Sequence, residues 1–447
     1  MNRDEVLSKS FSHNFWTWSA QAHVDVIPVQ KAEGVYFWDF NGKRYLDLNS
    51  MVMCVNIGHG NQKVINAIID QAKELTFAGP HMATVPRAEL GSLLSKIMPG
   101  RLDHFLYTLG GSDANENAIK LARTVTGKFK ILTRYRSYHG ATMGAIALTG
   151  DRRRLAWEPN TMPGVVHFLD PFIYRSNLFP GVDNISQGQY TQAYLANLEE
   201  IINYEGPSTI AAILIESVTG TNGIIIPPDG YLEGIRDLCN RYGILMIADE
   251  VMSGFGRTGQ WFAVQHWKVE PDMITMAKGL TSGYAPLGAV AMKPEIAAHF
   301  NDKVFYGGLT YNGHPLGLAA AIANIKVMQD DDLINRSKAM GEPLSRLLNE
   351  LKEKHCSVGD VRSIGLFGAI ELVKNRVSKE PLSGFNQPLS PVMAQVKQAI
   401  SEKGVFIYTH FNVLLIIPPL IISEDQLKEG FEVIDEALTL ADQVYID

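Results

Sequence analysis

Two residues that directly follow apolar segments could do chemistry together: a carboxylate, Asp249, and an amine, Lys278. They lie in LMIADEVMSGFGRTG (245–259) and DMITMAKGL (272–280). A lysine amine can form a Schiff base, and a buried carboxylate stabilises a neighbouring positive charge. Because the carboxyl ends of the strands in an open parallel sheet border the ligand crevice, both side chains could face one site. Considered singly, Asp249 could equally cap a strand and Lys278 could be a surface lysine.

A glycine turn precedes a predicted helix in FLYTLGGSDANENAIKLAR (105–123). Gly110 and Gly111 let the backbone approach a ligand closely, and Ser112 is the predicted N-cap. The first amides of such a helix bind an anion well. The segment lacks both the GxxxxGK[ST] of a Walker loop and the GxGxxG of a Rossmann fold. The turn therefore indicates a different kind of anion site, or a simple tight turn.

An aromatic side chain follows another predicted strand, in RYRSYHGAT (134–142). Tyr138 and His139 come just after the apolar segment 130–133. An aromatic ring at a crevice can stack on a flat cofactor. By itself, Tyr138 could equally be a partly buried core residue.

The elements that would position these side chains alternate between apolar strands and helices. The predicted strands are Phe105–Thr108, Lys130–Thr133, Ala212–Ile215, Leu245–Ala248 and Met273–Met276, separated by helices such as Ala114–Thr124 and Gly230–Arg241. Strands that are apolar on both faces and alternate with helices predict an α/β fold with a mainly parallel sheet. We expect this large domain to span roughly residues 56–320.

The two ends of the chain have a different pattern. GVYFWDFNGKRYLDL (34–48) contains two alternating segments joined by Asn41 and Gly42, which predicts a β-hairpin. We expect a smaller α+β domain built from residues 1–55 and 321–447. The elements predicted in its tail are a helix over Pro391–Lys403, a strand over Val413–Ile417 and a last helix from Ser423.

Composition and charge exclude several classes of protein. The 447-residue chain has a formal net charge of −7, so no basic nucleic-acid-binding surface is expected. Cys54, Cys239 and Cys356 fit neither a disulfide framework nor a zinc site, and no metal is expected. The sequence shows no secretory signal and no apolar run long enough to span a bilayer, which predicts a cytoplasmic protein.

Taken together, the motifs resemble the class III aminotransferases, which are fold-type I enzymes that depend on pyridoxal 5'-phosphate. This group contains the ω-amino acid:pyruvate, taurine:pyruvate, 4-aminobutyrate and ornithine aminotransferases. The matching segments are GVYFWDFNGKRYLD, GGSDANENAIKLAR, SYHG, IESVTGTNG, DEVMSGFGRTG, AKGLTSGYAPLGA, GLTYNGHPLG and the terminal IIPPL. They cover nearly the whole chain, and the resemblance implies the fold of this group: a large α/β domain and a smaller α+β domain.

The resemblance also implies a role for each motif residue. Lys278 would hold the cofactor as a Schiff base, and Asp249 would pair with its pyridine nitrogen. Tyr138 and Val251 would pack on opposite faces of the ring. The other implied cofactor contacts are Gly110, Gly111 and Ser112 at the phosphate, His139 and Glu216 beside the ring, and Leu309 and Thr310 at the phosphate of a partner subunit.

The substrate pocket is less well defined by the resemblance. Many relatives place an arginine for the substrate carboxylate in the segment that corresponds to 404–420, where this chain has none and where His410 is the nearest candidate. Lys403 or another basic side chain could substitute, or the donor could lack an α-carboxylate. We expect an ω-amine or ω-amino acid donor, such as taurine, β-alanine, a diamine or an arylalkylamine, with pyruvate as the acceptor. The residues that match the lining of ω-aminotransferase pockets by position are Trp16, Trp18, Val52 and Met53.

Several alternatives remain. The same scaffold supports glutamate-1-semialdehyde-type aminomutases and amine:2-oxoglutarate aminotransferases. The diaminopelargonate-synthesising branch fits less well, because no paired tryptophans precede MCVNIGHG. A non-catalytic binding module has no physical need for the lysine, the aspartate and the phosphate turn together. The role implied for Thr310 predicts an obligate homodimer, with a tetramer left open.

Overall fold

A seven-stranded sheet forms the centre of the computed structural model, which describes residues 1–446. In chain order the strands are β1 (Val29–Glu33), β2 (Tyr36–Asp39), β3 (Arg44–Asp47), β4 (His104–Thr108), β5 (Lys130–Arg134), β6 (Val165–Phe168), β7 (Ile210–Glu216), β8 (Leu245–Asp249), β9 (Met273–Met276), β10 (Gly288–Met292), β11 (Val358–Ile364), β12 (Phe367–Leu372), β13 (Val405–Phe406), β14 (Tyr408–His410) and β15 (Val413–Ile416).

The helices pack on both faces of this sheet and around the chain ends. In chain order they are α1 (Arg3–His13), α2 (Ser50–Met53), α3 (Gln62–Glu74), α4 (Val85–Ser95), α5 (Gly111–Thr126), α6 (Met143–Leu148), α7 (Arg152–Leu155), α8 (Gln187–Glu205), α9 (Tyr231–Tyr242), α10 (Pro294–Ala298), α11 (Pro315–Asp330), α12 (Leu333–Lys354), α13 (Pro391–Glu402) and α14 (Glu424–Asp442).

The central sheet has the order β4-β10-β9-β8-β7-β5-β6. β10 runs antiparallel to both of its neighbours, whereas the remaining pairs are parallel. The prediction of an α/β fold with a mainly parallel sheet is therefore confirmed. β6 lies at one edge of the sheet and β10 lies next to the other edge, and neither strand was predicted from the sequence.

Burial explains why the central strands were recognisable. Every residue of β7 and β9 is buried, as is most of β8, so each of these short segments is apolar on both faces. α5 covers the sheet with its alanine and leucine face, and it ends at Gly127, which has the left-handed conformation that glycine adopts easily.

Two further four-stranded sheets are built from the chain ends, and only the first contains strands from both of them. The predicted hairpin is present as β2 and β3, and β13 from the C-terminal part pairs in parallel with β3. The second sheet, β11-β12-β15-β14, comes entirely from the C-terminal part. The predicted helices and strand of the tail are present as α13, β15 and α14, with Ser423 as the N-cap of α14. The division into two domains stays a prediction.

The helices of residues 1–446 do not have the combination of length and apolarity that crossing a bilayer requires.

Candidate active site

The site lies where neighbouring parallel strands end at the same edge of the central sheet. Glu216 is the last residue of β7 and Asp249 the last of β8, and the two pair directly in the sheet register. Asp249 also pairs with Thr275 of β9, and Lys278 follows Thr275 by one short turn. The predicted carboxylate and amine therefore lie at the ends of adjacent strands.

Asp249 is buried and accepts hydrogen bonds at both of its carboxylate oxygens. Oδ2 lies 2.7 Å from Nδ1 of His139 and 2.9 Å from the side-chain amide of Asn115. Oδ1 accepts a hydrogen bond from the backbone N–H of Val251 at 3.0 Å. These donors stabilise an ionised carboxylate, and Oδ1 keeps a lone pair for one further donor.

Asn115 is the contact of Asp249 that the sequence analysis missed. Its side-chain amide also donates to the backbone carbonyl of His139 at 2.7 Å, and its Oδ1 accepts a hydrogen bond from the hydroxyl of Thr275 at 2.8 Å. Asn115 is 1% exposed and lies on the buried face of α5. An asparagine among alanines on an apolar helix face was the signal that could have identified it, since buried polar groups need partners.

The glycine turn brings the start of α5 against the residues after β8. A Cβ added to Gly111 would lie 2.8 Å from Cγ1 of Val251, so only glycine allows this approach. The prediction that Ser112 is the N-cap is wrong, because the N-cap is Gly110 and Ser112 lies inside the helix. The hydroxyl of Ser112 instead accepts a hydrogen bond from the backbone N–H of Ala141 at 3.1 Å.

Glu216 joins the tyrosine segment to the loop after β7. Its carboxylate accepts hydrogen bonds from the backbone N–H of Tyr138 at 3.0 Å and of Gly220 at 2.7 Å. Burial raises the pKa of Glu216, and the neighbouring Asp249 adds to this, while His139 opposes it. Glu216 is therefore more easily protonated than an exposed glutamate.

Lys278 lies in a turn with unusual backbone geometry. Its φ is +43°, and that of Ser282 in the same turn is +49°. A Cβ on Gly279 would lie 2.6 Å from Nδ2 of Asn56, so the turn packs tightly against the segment after β3. Strained backbone of this kind persists only where the surroundings hold it, and it is common at functional sites.

A partly buried arginine that was not predicted from the sequence, Arg153, lies over the ring of Tyr138. The guanidinium carbon of Arg153 is 3.9 Å from the ring centroid. Its Nε donates to Asp151 at 2.9 Å and its Nη2 to Thr221 at 3.0 Å, whereas its Nη1 makes no hydrogen bond within residues 1–446. Burial opposes the charged form of Arg153, but the hydrogen bond to Asp151 raises the pKa of the guanidinium.

The same cluster contains His410, which the sequence analysis placed in the substrate pocket. His410 is 8% exposed, and its Nε2 lies 3.5 Å from Oδ2 of Asp151. Burial lowers the pKa of His410 and favours the neutral ring, although Asp151 opposes this. Burial also raises the pKa of Asp151, but the nearby His410 and the hydrogen bonds from Arg153 outweigh it and hold that pKa well below its usual range.

The other predicted pocket residues differ in position. Met53 is 2% exposed and packs in a cluster with Val218 and Met252, close to the ends of β7 and β8. Val52 is half exposed at 52%. Trp18 is 73% exposed, and Trp16 contacts Phe11 of α1, so neither tryptophan is brought to the strand ends within this chain.

Leu309 and Thr310 are also outside the cluster. Both are exposed, and Thr310 makes no side-chain hydrogen bond to another residue within 1–446. The structure of a single chain therefore brings together these predicted cofactor residues: Gly110, Gly111, Ser112, Tyr138, His139, Glu216, Asp249 and Val251, with Lys278 on the adjacent strand end.

This arrangement fits a flat, phosphorylated pyridine such as pyridoxal 5'-phosphate. The remaining lone pair of Asp249 suits a protonated ring nitrogen, and Tyr138 offers an aromatic face. The first amides of α5 suit a phosphate, and the missing Cβ of Gly111 lets this helix start lie directly against Val251. A lysine at the adjacent strand end supplies an amine for the aldehyde.

Comparisons with known proteins agree with this fit. The family model for class III aminotransferases matches residues 18–438. The putrescine–pyruvate aminotransferase of Pseudomonas aeruginosa is 34% identical, over 92% of this chain and 89% of its own length. A taurine–pyruvate aminotransferase of Bilophila wadsworthia is 36% identical, over 93% of this chain and 92% of its own length.

Solved structures give the same result. The taurine:2-oxoglutarate aminotransferase of Bifidobacterium kashiwanohense, in complex with PLP and glutamate, superposes with a TM-score of 0.95 at 43% identity, covering 99% of both chains. An (S)-enantioselective omega-transaminase from Thermomicrobium roseum superposes with a TM-score of 0.91 at 35% identity, also over 99% of both chains. The fold-type I architecture predicted from the motifs is confirmed. The chain belongs to the class III aminotransferases, a family of enzymes that use pyridoxal 5'-phosphate.

Proposed function

We propose that this chain transfers the amino group of an ω-amine or ω-amino acid to pyruvate. Relatives that act on taurine or putrescine with pyruvate match it over most of their length, which supports this donor and acceptor class. The observation that carries the proposal is the guanidinium of Arg153, 3.9 Å from the ring centroid of Tyr138. It offers a free Nη1 to an anionic group at the far end of a donor.

Arg153 would perform the task of the arginine that is missing from 404–420. An arginine binds carboxylates and sulfonates through directed, charge-assisted hydrogen bonds, and partial burial strengthens them. Asp151 holds this side chain from one side, which leaves the other side for the substrate. A donor with its amine at Lys278 would direct its acidic group towards Arg153.

Each residue of the cluster has a distinct task in this proposal. Asp249 keeps positive charge at the ring nitrogen, and Tyr138 and Val251 hold the ring between them. Gly111 and Ser112 bind the phosphate through backbone amides and a hydroxyl. When bound, pyridoxal phosphate supplies an electron sink that stabilises negative charge at the substrate carbon.

Lys278 has two tasks. Its amine would hold the cofactor covalently until a donor amine binds. The free amine then takes the proton from the carbon that carries the donor's amino group, acting as a general base and afterwards as a general acid. Pyruvate accepts the amino group in a second half-reaction, so ping-pong kinetics are expected.

We also propose a homodimer in which Thr310 serves the partner's site. The segment with Leu309 and Thr310 carries large apolar side chains that a single chain leaves exposed. Tyr306 is 89% exposed and Tyr311 55% exposed, and the ring of Tyr311 packs on that of Phe77, which is 41% exposed. A patch of this kind favours association with a second copy.

The location proposed for this enzyme is the cytoplasm, in agreement with three cysteines that form no disulfide.

The test is an amino-acceptor assay on the purified holoenzyme, with Lys278→Ala as the matched control. Taurine, β-alanine, a diamine and an arylalkylamine are each supplied with pyruvate, and alanine is quantified. Alanine formation that is absent in the control supports the proposal. Turnover of these donors with 2-oxoglutarate as the acceptor, but not with pyruvate, would refute the pyruvate assignment.

One observation favours 2-oxoglutarate as a second candidate acceptor. The taurine:2-oxoglutarate aminotransferase of Bifidobacterium kashiwanohense is 43% identical, more than the two pyruvate-dependent relatives described above. Glutamate is therefore quantified in the same assay with 2-oxoglutarate as the acceptor. Isomerisation of glutamate-1-semialdehyde without any acceptor would instead indicate an aminomutase.

A further inference from the structure

The segment from Asn49 to Asn56, called here the 49–56 loop, has a strained backbone close to Lys278. Three non-glycine residues in it have positive φ: Ser50 at 46°, Met51 at 57° and Met53 at 57°. The ψ of Met51 is −94°, which is neither helical nor extended. Such conformations persist only where neighbouring groups hold them in place.

A buried carboxylate holds the loop from one side. Asp47 is 0% exposed, and both of its oxygens accept hydrogen bonds from the backbone N–H of Met51, at 3.0 and 2.9 Å. Oδ1 also accepts one from the backbone N–H of Asn49 at 3.1 Å. Oδ2 lies 3.0 Å from Nε2 of His59, which forms an ion pair with Asp47 when protonated. Asp47 therefore binds the most strained part of the loop directly.

A buried arginine holds the loop from the other side. Nη2 of Arg257 donates to the hydroxyl of Ser50 at 3.2 Å and to Oδ1 of Asn56 at 2.9 Å, near the two ends of the loop. Nη1 donates to the backbone carbonyls of Leu366, at 3.1 Å, and of Pro418. Burial lowers the pKa of Arg257 to about 9, and Asp47 is the first charge that opposes this shift. Two buried, oppositely charged side chains thus fix the loop between them.

The loop packs on the turn that carries Lys278. Asn56 donates to the backbone carbonyl of Phe255 at 2.8 Å and lies where a Cβ on Gly279 would be. The backbone N–H of Ile57, directly after the loop, donates to the hydroxyl of Ser282 at 3.3 Å. A shift of the loop would therefore be transmitted to both ends of the lysine turn.

We propose that Asp47 is a positioning residue that holds the 49–56 loop as a wall of the donor pocket beside Lys278 and so determines which amines fit. Asp47 itself touches neither substrate nor cofactor. It acts through Met51, and the side chains it positions are those of Val52 and Met53. The inference rests on the proposed function, because it takes the amine of Lys278 as the centre of the reaction.

The chain offers a matched control in the same sheet. Asp39, at the end of β2, is 5% exposed and accepts hydrogen bonds from the backbone N–H of Asn41 at 2.8 Å and of Lys43 at 2.9 Å. It therefore holds a hairpin turn in the way that Asp47 holds the loop, but away from Lys278. Asp47→Asn and Asp39→Asn remove the same charge from two comparable backbone sites.

The first measurement is the alkylation rate of Cys54 in the holoenzyme, followed by peptide mass spectrometry with the buried Cys239 as an internal reference. Cys54 lies in the loop and is partly exposed, whereas Cys239 is 1% exposed. Release of the loop in Asp47→Asn should speed alkylation of Cys54 about tenfold, as expected for local opening. Asp39→Asn should react like the unchanged protein.

The second measurement is the ratio of kcat/KM for β-alanine to that for a bulky arylalkylamine, each with pyruvate. Asp47→Asn should raise KM for β-alanine about tenfold, with a smaller change in kcat, because a displaced wall weakens substrate positioning. The ratio should therefore fall, whereas a loss of overall stability would lower the kcat/KM values for both donors together. Asp39→Asn should leave the ratio unchanged.

Unchanged alkylation and an unchanged ratio in Asp47→Asn would overturn the inference. If Asp47→Asn does not fold, His59→Gln is used instead. This variant keeps Asp47 but removes its histidine partner, and the same two measurements then test whether Asp47 positions the loop. A wild-type enzyme without turnover would refute the proposed function, whereas alkylation would still report on the loop. Wild-type turnover together with an unchanged selectivity ratio in Asp47→Asn would refute only the inference about Asp47.

Discussion

The side-chain amide of Asn115 donates to the carboxylate of Asp249 at 2.9 Å and to the backbone carbonyl of His139 at 2.7 Å. Asn115 of α5 thus connects the end of β8, which carries Asp249, to the segment that contains Tyr138 and His139. Its own carbonyl oxygen is occupied by the hydroxyl of Thr275 at 2.8 Å, so the orientation of the amide is determined.

Asn115→Leu should weaken cofactor binding and slow turnover together. The variant leaves Asp249 with one hydrogen bond fewer in a buried site, and loss of a hydrogen bond to a charged group costs about 1.5–3 kcal/mol. We expect a roughly tenfold or larger rise in the Kd for pyridoxal phosphate, measured by quenching of tryptophan fluorescence. Asn117→Leu is the control, since Asn117 lies on the same helix and bonds only to Asp113. Equal Kd values for the two variants would contradict a role for Asn115.

Asp249→Asn should separate cofactor binding from chemistry. A neutral amide keeps the size of the side chain but cannot stabilise positive charge at a ring nitrogen. We expect the cofactor to remain bound, while kcat falls by roughly a hundredfold or more, as for other lost electrostatic contacts to a reacting group. Absorbance of the bound cofactor and steady-state kinetics check the two parts separately. A variant with nearly full kcat would argue against the task proposed for this carboxylate.

Arg153→Met should discriminate between anionic and uncharged donors. Within residues 1–446 Nη1 of the guanidinium has no hydrogen-bond partner. A charge-assisted hydrogen bond contributes about 1.5–3 kcal/mol, so KM for taurine or β-alanine should rise about tenfold to a hundredfold. KM for an arylalkylamine should change little. Arg154→Met provides the control, because Arg154 pairs with the exposed Glu158. A parallel rise of KM for every donor would show that Arg153 supports the fold rather than the acidic group of the substrate.

His167 should make the protein sensitive to acid. Burial lowers the pKa of His167 from 6.5 to about 4, with Arg154 adding to the effect. The unfolded chain takes up this proton at a higher pH than the folded chain. The contribution of the neutral His167 to the free energy of unfolding is therefore fully present above pH 6.5 and is lost as the pH falls towards 4. The loss is at most on the order of 3 kcal/mol, since one pKa unit corresponds to about 1.4 kcal/mol.

Thermal unfolding of His167→Gln between pH 7 and pH 4 tests this sign. The variant carries no titrating group at this position, so its Tm should fall less steeply with pH than that of the unchanged protein. Parallel curves for the two proteins would show that the acid sensitivity arises elsewhere. His104→Gln is the control, because His104 is exposed.

The sequence was sufficient to predict the elements that are fully buried in the sheet. β7, β8 and β9 stand out because each is a short apolar run followed by polar or turn residues, and Asp249 and Lys278 come at or just after the ends of two of them. β10 was missed because a run of small residues in Gly288–Met292 gives no pattern that distinguishes a strand from a loop.

Contacts between distant parts of the chain account for what the sequence did not reveal. Arg153 lies in a run of three arginines, and nothing local shows that it, rather than its neighbours, folds over Tyr138. Ser112 has the side chain of a good N-cap, but the turn places Gly110 in that position and directs the serine hydroxyl to Ala141. Trp16 and Trp18 match pocket residues by position, yet this chain alone does not bring them to the strand ends.

The reversed direction of β10 has a consequence for the size of the crevice. β4, which leads to the glycine turn, and β9, which leads to Lys278, are separated by a strand that begins, rather than ends, at this edge. Two inter-strand steps, a distance of roughly 9–10 Å, therefore separate the glycine turn from the turn that carries Lys278. A crossover helix does not fill that width, because β10 enters it closely enough for a Cβ on Gly288 to lie 2.5 Å from the carbonyl oxygen of Gly110. Inverting one strand thus closes the gap between the glycine turn and the lysine turn with strand backbone instead of a crossover helix.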